Sequence, residues 1–330
     1  MEITKSFASD LYTLNETGFD DIALAIFRFQ AENNAVYASW ISSLGIDWRK
    51  VKAVEEIPFL PVAFFKSQVI KSGDWPHKTV FRSSTTTGAM PSVHYVNDLP
   101  FYLQHARRCF EYFFGSVTDF HFFALLPSYL ERGDSSLVAM IDFFIRESGS
   151  AYSNFYKDNL EKLLEDIDQA RRDGKRKIIL WGVTYALLDL VEKHGPDLSD
   201  CLIFETGGMK GRRRELTRSE LHEVLKKGLR VDKIYSEYGM TELFSQAYTK
   251  GQSAFFCPPW MRVFIREVGD PFGRLGSNKT GGINVIDLAS FSTISFIETE
   301  DAGRVLGEGG FEVLGRLDNT DIRGCNLMVE

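Results

Sequence analysis

Hydrophobic and polar positions follow two different periods along this chain, and the middle third alternates between them. Runs of four or five apolar residues predict buried strands, and stretches with apolar residues every three or four positions predict helices. The helices are predicted over Leu99–Phe114, Leu137–Phe144, Asn159–Asp173 and Tyr185–His194, and the strands over Phe122–Leu126, Lys177–Trp181, Cys201–Phe204 and Lys233–Tyr235. Such alternation favours an α/β sheet that binds ligands at the carboxyl ends of its strands.

The two ends of the chain differ from this middle part. Helical spacing extends to about Asp47, and the strand-like Val80-Phe81-Arg82 then leads into a turn rich in serine and threonine. After Glu242 the sequence turns to glycine, threonine, serine and short β-like runs, which predict antiparallel structure. We expect one α/β domain over 1–330, with a helical preamble (1–75), an α/β core (76–245) and a β-rich lobe (246–330).

Composition narrows the possible partners. The chain has 330 residues, is 44% hydrophobic and carries a net charge of −7, which argues against nucleic acid as the main partner. It contains no apolar run of eighteen residues, and its first residues do not read as a signal peptide. We therefore expect a cytoplasmic protein with no membrane span.

Cysteines and histidines give no metal or disulfide pattern. Cys109, Cys201 and Cys257 lie among apolar neighbours and predict buried thiols, whereas Cys325 follows Arg323-Gly324 near the last residue. Five of the six histidines have no partner spacing typical of a metal site or a catalytic triad: His94, His105, His121, His194 and His222. We expect each of them on the surface or in the core with its hydrogen bonds satisfied.

Three segments carry candidate chemistry. Ser83 to Gly88 offers hydroxyls and backbone N–H groups that can bind an anion, although such a run is also common in plain loops. Glu205 to Met209 places two glycines after a strand, where a planar ligand could approach the backbone or where the chain simply turns. Tyr238 to Glu242 combines an aromatic ring, a glycine, a hydroxyl and a carboxylate.

Taken together, these segments resemble the adenylate-forming superfamily, in its branch of phenylacetate-CoA ligases and LuxE-type acyl-protein synthetases. The resemblance runs nearly end to end. Six segments fall in the family's order: Pro58–Pro61, Ser83–Gly88, Leu126–Leu130, Gly207-Gly208, Tyr238–Glu242 and Gly315–Asp318. The resemblance implies the large α/β N-terminal domain of that family, with interleaved sheet subdomains and a small β-rich C-terminal lobe.

The resemblance also implies ATP and Mg²⁺ as cofactors and assigns residues to them. Ser84, Thr85, Thr86, Thr87 and Gly88 would surround the phosphates. The other nucleotide contacts would come from Gly207, Gly208, Tyr238, Gly239, Thr241, Asp301 and Arg316, with the adenine near the glycines and Tyr238 and the ribose on Asp301. Glu242 would hold the metal, and Glu242 and Arg316 would act in catalysis.

The sequence departs from the family pattern in three places. Thr85 replaces the usual glycine of the phosphate turn, and Ser92 stands where many relatives have lysine. The chain stops shortly after Gly315-Arg316-Leu317-Asp318, so we expect it to lack the mobile C-terminal domain that carries a catalytic lysine.

The expected reaction activates a carboxylic acid, fatty or aromatic, to an acyl-adenylate and passes the acyl group to a thiol. The acceptor stays open between Cys325, which matches the acylated cysteine of acyl-protein synthetases, an acyl carrier protein and CoA. An acyltransferase or reductase partner would fit the first of these. The alternatives are an acyl-CoA ligase completed by a separate C-terminal domain and a nucleotide-binding relative without turnover.

Overall fold

The computed structural model describes residues 7–14, 18–84, 90–127, 133–207, 216–307 and 309–317. The helices are α1 (Phe19–Asn33), α2 (Ala35–Ser43), α3 (Leu99–Phe114), α4 (Ser136–Ser148), α5 (Leu160–Asp173), α6 (Thr184–Lys193) and α7 (Arg218–Leu229). The strands are β1 (Leu60–Pro61), β2 (Thr79–Arg82), β3 (Val93–Val96), β4 (Phe120–Leu125), β5 (Asn154–Tyr156), β6 (Lys177–Val183), β7 (Cys201–Thr206), β8 (Ile234–Tyr238), β9 (Ala247–Thr249), β10 (Phe255–Phe256), β11 (Met261–Glu267), β12 (Asp270–Leu275), β13 (Gly281–Asp287), β14 (Phe296–Val305) and β15 (Phe311–Arg316).

Within these residues, thirteen strands form one mixed sheet in the order β12-β11-β13-β14-β15-β10-β9-β8-β7-β6-β4-β5, with β1 paired to β14. The five strands β4 to β8 are parallel, and the helices α4, α5, α6 and α7 connect them in chain order. From β8 to β12 neighbouring strands are antiparallel. The predicted α/β class is confirmed, and the β-rich lobe continues the sheet of the α/β core.

The parallel strands are buried on both faces, as helical crossovers require. Every residue of β4 is buried, and Trp181 of β6 stacks on Phe204 of β7 with ring centroids 4.6 Å apart. Phe110 on α3 and Phe144 on α4 are also fully buried in this aromatic core. None of the phenylalanines that the structure describes lines the cleft described below.

Helix ends follow the local sequence. The Asp98 carboxylate accepts a hydrogen bond from the Phe101 amide (3.0 Å), Pro100 occupies the first turn of α3, and Gly115 ends the helix with a φ of 92°. Over the ranges that the structure covers, no helix has both the length and the apolar character of a membrane span.

Candidate active site

A cleft of about 710 Å³ lies at the carboxyl ends of β7 and β8. Residues from the middle of β14 and the end of β15 also line it. The carboxyl ends of parallel strands are the usual place for a ligand in such a sheet. The start of α4 and the loop that follows β2 contribute the opposite wall. Eight of the predicted site residues, seven for the nucleotide and Glu242 for the metal, line this one cleft: Ser84, Gly207, Tyr238, Gly239, Thr241, Glu242, Asp301 and Arg316.

The remaining candidates lie outside the described residues. They are Thr85, Thr86, Thr87, Gly88, Gly208 and Cys325. The base of the serine and threonine turn is nevertheless defined, because the Ser92 amide donates to the Ser83 hydroxyl (2.9 Å) and the Ser83 amide donates to the Ser92 carbonyl (3.1 Å). These two bonds bring Ser84 to the edge of the cleft.

Tyr238 and Asp301 form the polar contact on one wall. The Tyr238 ring is buried and lies edge-on to Phe311, with centroids 5.3 Å apart, and its hydroxyl donates to Asp301 Oδ2 at 2.9 Å. Burial raises the pKa of the Asp301 carboxyl, while the Tyr238 hydrogen bond and the charge of Arg316 act in the opposite direction. Asp301 and Arg316 are direct register partners on β14 and β15.

Two cations stand at the mouth of the cleft beside Glu300. Arg316 Nη2 lies 2.5 Å from one Glu300 oxygen, and Lys66 Nζ lies 3.3 Å from the other. The Arg316 side chain is 69% exposed, so its ion pair is weak and the guanidinium can reorient at small cost. Lys66 comes from a short 3-10 helix at residues 62–66 and had no motif that could have identified it in the sequence.

Glu242 is buried next to Ser92. Burial raises the pKa of its carboxyl, and a hydrogen bond from the Ser92 hydroxyl partly offsets this effect. Ser92, which was notable in the sequence only as a departure from the family pattern, therefore contacts the predicted metal ligand. Lys66 also acts on Glu242 and favours its ionised form.

The loop around Glu242 is fixed by two buried groups. His94 Nδ1 lies 2.6 Å from the Thr241 carbonyl, and its Nε2 lies 3.1 Å from the Thr293 hydroxyl. Asp287, which is fully buried, accepts hydrogen bonds from the Phe244 and Ser245 amides at 2.7 and 2.9 Å. Both groups hold the backbone that presents Thr241 and Glu242, and we expect the loop to be rigid.

Gly207 turns the chain at the end of β7. Its φ of 74° lies in the left-handed region that glycine adopts most easily, and its carbonyl accepts a hydrogen bond from the Thr184 hydroxyl at 2.8 Å. A side chain at this position would add backbone strain.

Two further polar side chains line the cleft, and sequence analysis did not identify them. Glu237 accepts a hydrogen bond from the Thr206 hydroxyl (2.8 Å), and Gln246 donates to the Phe244 carbonyl (2.9 Å). Glu237 directly precedes Tyr238 on β8, so the two side chains lie on opposite faces of the strand. The predicted strand ends at Tyr235 and therefore does not include either residue.

No family model matches this chain, and no curated protein sequence matches it. Several solved structures match its fold. A 2-hydroxyisobutyryl-CoA ligase in complex with 2-HIB-AMP and CoA is 13% identical, with a TM-score of 0.67 over 93% of this chain and 70% of that chain. ATP-bound MatB from Rhodopseudomonas palustris is 16% identical, with a TM-score of 0.54 over 72% of this chain and 47% of that one. O-succinylbenzoate CoA synthetase from Bacillus subtilis, bound to AMP, is 18% identical, with a TM-score of 0.52 over 74% of this chain and 50% of that one.

The chain therefore shares the fold of these solved structures, and the α/β fold class that the sequence resemblance implied is confirmed. The chain spans about half the length of the first solved structures that it matches.

Proposed function

We propose that this chain activates a carboxylic acid with ATP, forming an acyl-adenylate and releasing pyrophosphate. The observation that carries the proposal is the convergence of Tyr238, Glu242, Asp301 and Arg316 in one cleft, on a fold shared with ligases that were solved with ATP or AMP. The four residues come from three separate parts of the sequence, at 238–242, 301 and 316, and the resemblance assigns them to one nucleotide and its metal.

The first step needs positioning more than proton transfer. A carboxylic acid is ionised at neutral pH, so its oxygen can attack the α-phosphorus of ATP directly while the bond to pyrophosphate breaks. Arg316 and Lys66 at the cleft mouth would stabilise the charge on the phosphates and on the departing pyrophosphate. Tyr238 and Asp301 would hold the adenosine, which keeps the α-phosphorus in line with the attacking oxygen.

Glu242 fits the role of a magnesium ligand. Among the described residues, no cluster of three or more His, Cys, Asp or Glu side chains is placed to bind an ion by itself. Magnesium in phosphate-transfer sites is held by one or two carboxylates together with substrate phosphates and water, so a single buried carboxylate beside the phosphate turn is sufficient. Bound Mg²⁺ would neutralise phosphate charge and favour the ionised form of Glu242.

The second step would transfer the acyl group to a thiol. A thiolate would attack the carbonyl carbon of the adenylate, so that a C–S bond forms, the C–O bond to phosphate breaks and AMP leaves. Cys109 and Cys201 are buried as predicted, whereas Cys257 is partly exposed. The pKa of all three thiols is raised to about 12 by burial, which disfavours the thiolate that the transfer needs. Two acceptors remain, Cys325 as in LuxE-type acyl-protein synthetases and an external thiol such as CoA or a carrier's phosphopantetheine.

The CoA alternative has its own support, since the matched solved structures include CoA ligases and one of them contains CoA. The test combines ATP-dependent pyrophosphate release with intact mass measurement of the protein. For a Cys325 acceptor, we expect Cys325→Ser to keep pyrophosphate release and lose a hydroxylamine-labile acyl mass, while Cys257→Ser keeps both. An unchanged acyl mass in Cys325→Ser would exclude this acceptor, and acyl-CoA formation by that variant would favour CoA.

A further inference from the structure

Glu237 lies on the floor of the cleft, on the other face of β8 from Tyr238. Side chains alternate along a strand, so Tyr238 points toward Asp301 while Glu237 points toward β7, where Thr206 donates to its Oε2 at 2.8 Å. Its other oxygen, Oε1, would lie 2.1 Å from a Cβ added at Gly239. The carboxyl group therefore sits directly against the Gly239 backbone, in space that only a glycine leaves open.

The second polar group at this place is Gln246. The Gln246 Cγ would lie 3.3 Å from the same added Cβ at Gly239. Gln246 lines the cleft, but only 4% of the residue is exposed. Its amide nitrogen donates to the Phe244 carbonyl at 2.9 Å. Its carbonyl oxygen is buried and has no hydrogen-bond partner in the described structure. A buried acceptor without a donor costs about 1–3 kcal/mol, so an occupant that supplies the donor would be favoured.

The surroundings of Glu237 add acceptors and negative charge. The nearby Tyr102 hydroxyl already donates to the Ser136 carbonyl at 3.2 Å. Burial raises the pKa of Glu237, the Thr206 hydrogen bond lowers it and the charge of Glu205 raises it, and the result is a pKa of about 7. Glu237 and Gln246 thus supply two acceptor oxygens, one Oε1 each, to a cleft that the apolar side chains of Leu137 and Met140 also line.

We propose that the acid bound in this cleft carries an amine or hydroxyl substituent on its acyl chain, and that Glu237 and Gln246 accept hydrogen bonds from this donor. The inference rests on the proposed adenylation and specifies its substrate class. The carboxylate to be activated would face Thr241 and Glu242, and the substituent would lie on the Glu237 side of Gly239. An unsubstituted fatty or aromatic acid would leave both acceptors without a donor.

The experiment is ATP–pyrophosphate exchange with sets of acids that share one carbon skeleton and are unsubstituted, hydroxylated or aminated. We expect the wild-type protein to prefer a donor-bearing acid by about 10- to 100-fold in kcat/KM, since a hydrogen bond to a charged group contributes about 1.5–3 kcal/mol. Glu237→Leu should remove that preference and leave the Kd for ATP unchanged. Glu237→Gln, which keeps the shape, should retain use of hydroxy acids and lose use of amino acids, which separates the two kinds of donor. Glu223→Gln, on the exposed face of α7, serves as the matched control.

The outcomes separate this inference from the function on which it rests. Equal or better use of unsubstituted acids by the wild type would overturn the inference alone. The same holds if both Glu237 variants keep the wild-type ratio between acids. Absence of exchange with every acid, in a folded protein, would overturn the proposed adenylation and this inference with it.

Discussion

The Tyr238 hydroxyl donates a hydrogen bond to Asp301 across 2.9 Å and joins the end of β8 to β14. The resemblance assigns the two residues to different parts of the nucleotide, the adenine and the ribose. In the structure they form one unit, so a change at either residue should affect how the other one binds ATP.

We predict that Tyr238→Phe weakens both folding and ATP binding. The variant removes the hydrogen bond to the partly buried Asp301 carboxyl and should lower the free energy of unfolding by about 1–3 kcal/mol. Urea denaturation and ATP titration measure the two effects. Tyr112→Phe is the control, because the Tyr112 side chain is exposed on α3. Unchanged unfolding and ATP affinity in Tyr238→Phe would show that the contact contributes nothing.

For Glu242, we predict that activity and stability change in opposite directions. Burial raises the pKa of this carboxyl, which means that its ionised form is disfavoured in the folded protein without bound metal. Glu242→Gln should therefore keep or slightly raise the melting temperature while it lowers magnesium-dependent pyrophosphate release by about 100-fold or more. Full activity in this variant would contradict the metal assignment.

Acid should destabilise the fold through its buried histidines. Burial lowers the pKa of His94 to about 4 and that of His105 to about 3, both below the value of about 6.5 for an exposed histidine. The unfolded chain then binds more protons, so this stabilisation is complete above pH 6.5 and is lost as the pH falls toward 4 and 3. The loss at His94 is on the order of 3 kcal/mol.

The measurement is the pH dependence of the free energy of unfolding between pH 7 and 4, in the range set by these pKa values. His94→Gln should flatten the curve relative to the wild type, although it also removes a hydrogen bond to Thr241. His194→Gln, at an exposed position, should leave the slope unchanged. Equal slopes in wild type and His94→Gln would show that His94 titrates normally.

Gly239→Ala should alter acid selection. The new Cβ would lie 2.1 Å from Glu237 Oε1, so the carboxyl group must move away from Thr206 and from the cleft floor. We expect a changed ratio of kcat/KM between donor-bearing and unsubstituted acids, whereas a weaker nucleotide contact at Gly239 would lower kcat/KM for all acids alike. Loss of ATP binding without a change in that ratio would place the conflict elsewhere.

Arg316→Ala should lower the rate without unfolding the protein. Its ion pair with Glu300 is exposed and contributes about 1 kcal/mol or less. Loss of a positive charge at the phosphates should reduce kcat for pyrophosphate release by about 10- to 100-fold. A kcat equal to that of the wild type would remove Arg316 from the catalytic group.

Local signals explain which elements the sequence predicts well. Helix α3 was predicted over Leu99–Phe114 and is found there, because its cap, its proline and its terminal glycine are adjacent in sequence. Strand β8 extends to Tyr238, beyond its predicted end at Tyr235. Its polar residues Ser236 and Glu237 are hydrogen-bonded to Glu205 and Thr206 of the neighbouring strand, and no local pattern reveals such partners.

The site was predictable only where a motif marked it. Tyr238, Glu242, Asp301 and Arg316 are assigned by the family resemblance, and the structure places all four at one cleft. Lys66 contacts Glu300 from 234 positions earlier in the chain. His94 is a polar residue at a fully buried position of β3, where it contacts the Thr241 carbonyl. Contacts of this kind depend on the assembled sheet and have no signature in a short stretch of sequence.

The most direct test of the central claim follows an oxygen atom. An acid labelled with oxygen-18 in its carboxylate is supplied with ATP, Mg²⁺ and a thiol acceptor, and the products are analysed by mass spectrometry. If the carboxylate attacks the α-phosphorus, AMP carries one labelled oxygen after the acyl group has left. Label in inorganic phosphate, with ADP as the nucleotide product, would show activation through an acyl phosphate and would contradict the account.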